Sequence, residues 1–140
     1  MLKMEILDKA LKAMSSLMDK VMDEKQMSQF DDITRMGLHA GVIKHFEICY
    51  ELCWKFIQRW ISENEHLTEI DFPRSRKDLF RYAARLGLIE DAEAWFRFGD
   101  ARNLSVHVYD SKQAEEIYQV ACSFVSEAQK LYHTLSVHND

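Results

Sequence analysis

Glycine and proline are scarce in this sequence, at four and one of 140 residues. That scarcity argues against a sheet-rich fold, because strands need frequent turns and turns draw on those two residues. Cysteine is also rare. Three is an odd number, and no charged-then-apolar leader opens the chain, so the disulfide framework of a secreted protein is not expected. No apolar run approaches the roughly 20 residues needed to span a bilayer. Together these absences predict a cytoplasmic protein with reduced thiols and no membrane contact. An excess of positive charge is missing as well: 18 Lys and Arg stand against 23 Asp and Glu, for a net charge of -5. A broad cationic field for nucleic acid is thereby excluded, and any RNA contact must be confined to a local patch.

What is present is a composition of 47% hydrophobic and 29% charged residues, the profile of one compact domain over residues 1–140. A chain of this length buries roughly 70% of its unfolded surface, so its core needs no disulfide or metal staple. From Leu2 to about Glu24, Leu7, Leu11, Met14, Leu17, Met18 and Val21 recur at helical steps. The period is lost from Lys25 to Thr34, where Asp31 or Asp32 can cap the next helix. A second helix is predicted from about Met36 to Glu63. Val42, Phe46, Cys49, Tyr50, Cys53, Phe56, Ile57 and Trp60 form a broad stripe there, widened by Leu52 and Trp54. So wide a face predicts a surface for a second copy, hence a homodimer. Residues 64–72 read as a loop leading to Pro73, after which Ser75 caps a short third helix ending near Gly87. Leu79, Phe80, Ala83 and Leu86 of that helix should pack inward. Asp91 caps a fourth helix carrying Ala94, Trp95, Phe98 and Leu104. Asp110 or Ser111 caps a fifth, with Ile117, Val120, Ala121, Phe124, Ala128 and Leu131 on one face. The simplest arrangement is all-α: an antiparallel four-helix bundle with one additional short helix.

The stretch from Asp100 to Asp110 carries the chemistry. A permanently charged Arg102, the amide of Asn103, the imidazole of His107 and the phenol of Tyr109 fall within eight residues beside a predicted helix end. On an unbroken helix Arg102 and His107 would lie about 140° and about 7.5 Å apart. Their cooperation therefore requires an interruption. Val106 to Tyr109 are mediocre helix formers, so the helix is predicted to fray between about Ser105 and His107. If Val106 to Tyr109 is extended, alternation puts His107 and Tyr109 on one side.

The run Arg102-Asn103-Leu104-Ser105-Val106-His107-Val108-Tyr109 resembles the pattern of Arg, four residues, His, one residue, Tyr in HepT-like proteins of the HEPN superfamily. Phe46-Glu47, Glu51-Leu52, Trp54-Lys55, the segment from Pro73-Arg74 to Gly87-Leu88-Ile89, and Trp95 seven residues before Arg102 extend the likeness. They are similar to the nucleotidyltransferase substrate-binding protein family over roughly residues 36–120. The likeness departs at Ala101, where an acidic residue is expected; the acid stands one place earlier, at Asp100. The resemblance implies a helical homodimer encoded beside a small MNT-type nucleotidyltransferase, the two acting as toxin and antitoxin. It further implies a metal-independent ribonuclease whose Arg and His line a cleft between subunits, silenced when the partner transfers AMP to the motif tyrosine, here Tyr109. The older family name implies a milder role, in which the chain only binds substrate for the nucleotidyltransferase.

The residues themselves suit phosphodiester cleavage. His107 can move a proton near neutral pH, between a ribose 2′-hydroxyl and the leaving 5′-oxygen. Arg102 can hold the phosphate and stabilise its extra negative charge in the transition state. Asn103 can bond to a phosphate or a base edge, and Tyr109 can stack a base or orient His107. This scheme calls for no metal and no cofactor. A plainer reading stands beside it: Arg102 and His107 as cations capping a helix C-terminus, and Tyr109 as an amphipathic packing residue.

Arg74, Lys77, Arg81 and Arg85, with Arg76 nearby, recur at helical steps on the third helix. They are candidates for RNA phosphates or an acidic partner, or else a solvated face. His45, Cys49 and Cys53 have helical spacing that lines up zinc ligands in principle. With no partnering cluster, core packing is the expectation for both cysteines. Met14, Met18 and Met22 are expected to fill the bundle, and Trp54, Trp60 and Trp95 to anchor the core or a dimer seam.

Overall fold

The computed structural model describes residues 2–106 and 111–139, and among them all regular structure is helical. The helices are α1 (Met4–Met22), α2 (Glu24–Met27), α3 (Asp32–Asn64), α4 (Arg76–Arg85), α5 (Ala92–Ser105) and α6 (Ser111–Val137). Their boundaries follow the capping signals. Asp31 accepts from the Thr34 amide at 2.8 Å, Ser75 from Asp78 at 3.0 Å and Asp91 from Glu93 at 3.0 Å, each removing an orphan N–H of a first turn. At the other end of α4, Gly87 takes φ +78°. The Leu88 amide reaches back to the Ala83 carbonyl at 2.9 Å and the Gly87 amide to Ala84 at 3.1 Å. That pair of bonds is a Schellman stop, which needs the left-handed conformation glycine adopts without strain.

Two boundaries differ from expectation. The stretch read as a break holds the one-turn α2, capped by Asp23, and α3 begins at Asp32 rather than Met36 because the Asp31 cap starts it earlier. The cap expected for α6 lies outside the described residues, at Asp110 and the side chain of Ser111.

Contacts along the helices give their directions. Cys49 of α3 donates to the Ala10 carbonyl of α1 at 3.3 Å, and Gly41 faces Leu17, so these two helices run antiparallel. On α6, Tyr118 stacks on His39 and Phe124 meets Phe46 edge-on, so α3 and α6 run parallel. Ser105 meets Glu47 and Arg102 meets Glu51, which makes α5 antiparallel to α3. The result is an up-down-up-down bundle of α1, α3, α5 and α6, with the short α4 packed on α3 and α5 and α3 and α6 as its close diagonal. The Asn139 side chain closes the open end, accepting from the Leu2 amide at 2.9 Å and donating to its carbonyl at 3.0 Å.

The core uses the expected faces: Leu7, Leu11, Met14, Met18 and Val21 of α1, the α3 stripe from Val42 to Ile57, and Ile117, Ala121, Phe124, Ala128 and Leu131 of α6 are all buried. Two expectations fail. Leu104 and Met22 are exposed, and buried Ala101 fills the α5 position facing the bundle. The width of the α3 stripe is used largely within the chain, because α3 touches α1, α4, α5 and α6, and Leu52, Trp54 and Trp60 are half-buried against that core.

Phe124 is the hub of the aromatic centre, with Phe46 at 5.1 Å, Phe98 at 5.3 Å and Trp95 at 5.8 Å, all edge-on. Such geometry aims positive ring edges at negative faces and adds to the burial of area. Truncation by Phe124→Ala is expected to cost about 3–5 kcal/mol, read as a lowered urea midpoint.

Candidate functional site

Antiparallel packing of α5 on α3 places Arg102 and Ser105, three residues apart and so on one helix face, opposite Glu51 and Glu47, which are four apart on theirs. Two rungs result. Arg102 Nε lies 3.1 Å from Glu51 Oε1, but the N–H is not aimed for a hydrogen bond, so the attraction there is Coulombic. Ser105 Oγ lies 2.6 Å from the Arg102 carbonyl and 3.0 Å from Glu47 Oε1, and its single proton serves both acceptors. Lys44 approaches Glu47 at 3.9 Å.

A third element completes the cluster. Arg76, the first residue of α4, brings Nη1 to 3.6 Å from the same Glu51 oxygen. Its guanidinium lies over the Trp54 ring at 4.7 Å and near Tyr50 at 5.8 Å. The Trp54 indole donates to Glu51 Oε2 at 3.0 Å, so this carboxylate is held from three sides. Tyr50 is buried beneath, and burial pushes its phenol above the ordinary range; contact with Arg76 opposes the rise, while the charges of Glu51 and Asp100 add to it.

The sequence-derived candidates separate on this framework. Arg102 stands half-buried in the cleft between α3 and α5. Its acidic partner is Glu51, from a different helix, whereas Asp100 is exposed. Asn103 is exposed beside it. The interruption falls where expected: α5 ends at Ser105, with Val106 as its C-cap. Val106 itself keeps helical values rather than the extended conformation considered for 106–109. His107 and Tyr109 lie outside the described residues. Of the four cations of the stripe, Lys77, Arg81 and Arg85 lie on α4 and Arg74 precedes its Ser75 cap. Lys77 and Arg81 flank Phe96 at 5.5 and 5.2 Å, and Arg81 is paired with Asp78 at 3.1 Å. Arg74, Arg81 and Arg85 line an open cavity of about 530 Å³ with Phe72 and Tyr82. Cys49 and Cys53 are core residues, and burial pushes the Cys49 thiol up to about 12 and Cys53 well above its usual value.

Sequence reasoning assigned no role to Glu47, Glu51 or Ser105, and placed Arg76 only beside the cation stripe. The available signal was a carboxylate pair at helical spacing along the edge of an otherwise apolar stripe. A second feature adjoins the cleft: a groove of about 760 Å³ lined by Arg35, Met36, His39, Ile43, Ser105 and Glu115. At that end of the bundle Ile33, Met36, Leu104 and Val106 expose large apolar side chains.

Residues 3–137 match the family described as nucleotidyltransferase substrate binding protein like. A Haemophilus influenzae protein named "Probable ribonuclease HepT" is 30% identical over 138 residues, 99% of this chain and 94% of that protein. The solved structure of HI0074 from Haemophilus influenzae superposes with a TM-score of 0.91 at 29% identity, covering 96% of this chain and 99% of that one. It is described as revealing the fold of a substrate binding domain of a nucleotidyltransferase. A crystal structure of a Thermus thermophilus protein matches with a TM-score of 0.69 at 25% identity, covering 90% and 98% of the two chains.

The cleft depends on one close approach. A Cβ at Gly99 would lie 2.6 Å from the Tyr50 hydroxyl oxygen, so only glycine lets α5 sit this near α3. Gly99→Ala must push Tyr50 or the helix aside, at an expected cost of about 1–3 kcal/mol. A lowered urea midpoint with a changed near-ultraviolet tyrosine signal checks it.

Proposed function

The chain belongs to the nucleotidyltransferase substrate binding protein like family, and from that membership we propose that it is a HepT-like, metal-independent endoribonuclease acting by 2′-hydroxyl transesterification. The observation that carries this reading is Arg102: a half-buried guanidinium whose sole ion-pair partner among the described residues is Glu51, one turn before the end of α5. Among buried and half-buried positions, arginine is the group suited to hold a phosphate in two-point contact and to offset charge that grows in a transition state. His107, five residues on and beyond the helix end, is assigned the proton transfers, from the 2′-hydroxyl and to the departing 5′-oxygen. Asn103, exposed at the rim, is assigned to a phosphate or base edge. Arg74, Lys77, Arg81 and Arg85 are assigned to steering of the RNA strand or docking of an acidic partner. The relative named probable ribonuclease supports the reaction class.

The same proposal includes a homodimer, for which exposed Ile33, Met36, Leu104 and Val106 supply the apolar surface. It includes a small MNT-type nucleotidyltransferase as partner, in a toxin-antitoxin pair within the cytoplasm. The partner transfers AMP to the hydroxyl of Tyr109, placing a negative charge and a bulky base beside the site where the RNA phosphate binds. No helix among the described residues is long and apolar enough to cross a membrane. A second reading, a non-catalytic subunit that binds nucleotide for the nucleotidyltransferase, is favoured by the description of HI0074.

Purified protein incubated with mixed cellular RNA in EDTA is expected to cleave it, and Arg102→Ala and His107→Ala to abolish cleavage with helical content intact. A wild-type protein that cuts nothing, and whose intact mass carries no added nucleotide, selects the second reading. Tyr109→Phe is expected to stay active in the presence of partner and ATP, whereas the wild type gains the mass of AMP and falls silent. Continued silencing of the variant shows that another residue is modified.

A further inference from the structure

We propose that Arg76 is a second phosphate-binding group of the cleft, taking the same phosphate as Arg102. Its chemical class is the phosphodiester backbone of a single nucleic-acid strand. The identity of that phosphate as substrate rests on the ribonuclease reading; the anion site itself rests on three observations.

The first is charge. Two guanidiniums meet one carboxylate, through one oxygen, at 3.1 and 3.6 Å. The other oxygen is occupied by the Trp54 indole. Asp100, whose charge reaches Tyr50, makes no ion pair with either arginine among the described residues. Contact-range charge is therefore unbalanced in favour of an incoming anion.

The second is donor capacity. A guanidinium carries five N–H groups, and among the described residues Arg76 turns them towards Glu51 and the Tyr50 hydroxyl. The Trp54 ring, 4.7 Å from the guanidinium carbon, holds the group over the cleft, and its remaining N–H groups suit the oxygens of an anion. The side chains of Arg76 and Arg102 keep 42% and 27% of their exposure, so both are reachable from solvent.

The third is placement. Arg76 is the first residue of α4, where a positive side chain opposes the helix dipole. Helix stability does not explain a cation there. Because both arginine nitrogens sit on a single Glu51 oxygen, one phosphate can reach both groups, with Glu51 holding them in register until it arrives.

The test uses a short oligothymidylate, which has phosphodiesters and no 2′-hydroxyl and so binds without being cut. Titration into ¹⁵N-labelled protein is expected to move the Trp54 indole resonance, assigned with Trp54→Phe. Arg76→Gln is expected to weaken binding at least about tenfold and to lower the salt slope by about 0.7. A stationary Trp54 resonance, or equal affinity and slope in Arg76→Gln, overturns the proposal. If Arg76→Gln loses helical content, the wild-type Trp54 titration decides alone. The ribonuclease reading fails separately. RNA cleavage with an unchanged KM in Arg76→Gln removes Arg76 and leaves the ribonuclease. Arg76-dependent binding in a protein that cuts no RNA keeps the anion site and removes the ribonuclease.

Discussion

The aromatic cluster around Phe124 is the constraint on which the rest of the molecule depends. Phe46 from α3, Trp95 and Phe98 from α5 and Phe124 from α6 meet edge-on. Close packing leaves little freedom to slide, so this contact fixes how far α5 is displaced along α3. That offset decides which polar residues face each other above the cluster. A shift of one helical turn would set Arg102 against a different α3 residue and part it from Glu51. Gly99 against Tyr50 is the upper edge of the same fit, where a missing side chain lets the backbones approach.

Above that hydrophobic base the cleft is an electrostatic device of few parts. Glu51 is held by an indole, an arginine from α5 and an arginine from α4. Each charge is partly desolvated, so removing one partner would leave the others uncompensated where water screens poorly. Such a site is stable when empty and still has donors to offer. Packing thus sets the cleft through geometry: the core sets the register, and the register brings carboxylate to guanidinium.

The fold was largely legible in the sequence. Caps at Asp31, Ser75 and Asp91, the glycine stop at Gly87 and the buried faces of α1, α3 and α6 are local signals, read from spacing and from the chemistry of single side chains. The failures are equally physical. Leu104 fits the helical period of α5 yet faces solvent, because α5 turns Ala101 towards the bundle and its last turn runs past the core. The α3 stripe is broad because a helix at the centre of a bundle touches several neighbours at once. One-turn α2 is too short to have a period.

The sequence by itself determined the all-helical class, most of the helix ends, most of the core and the motif that contains Arg102, since all of these are encoded within a few turns of chain. Tertiary structure alone decided that the acid serving Arg102 is Glu51 rather than Asp100, and that Arg76 joins it while Lys77 and Arg81 flank Phe96 instead. Those pairings join residues of different helices, far apart along the chain. Helical spacing puts each side chain on a face of its own helix; only the packed offset between helices determines which faces meet.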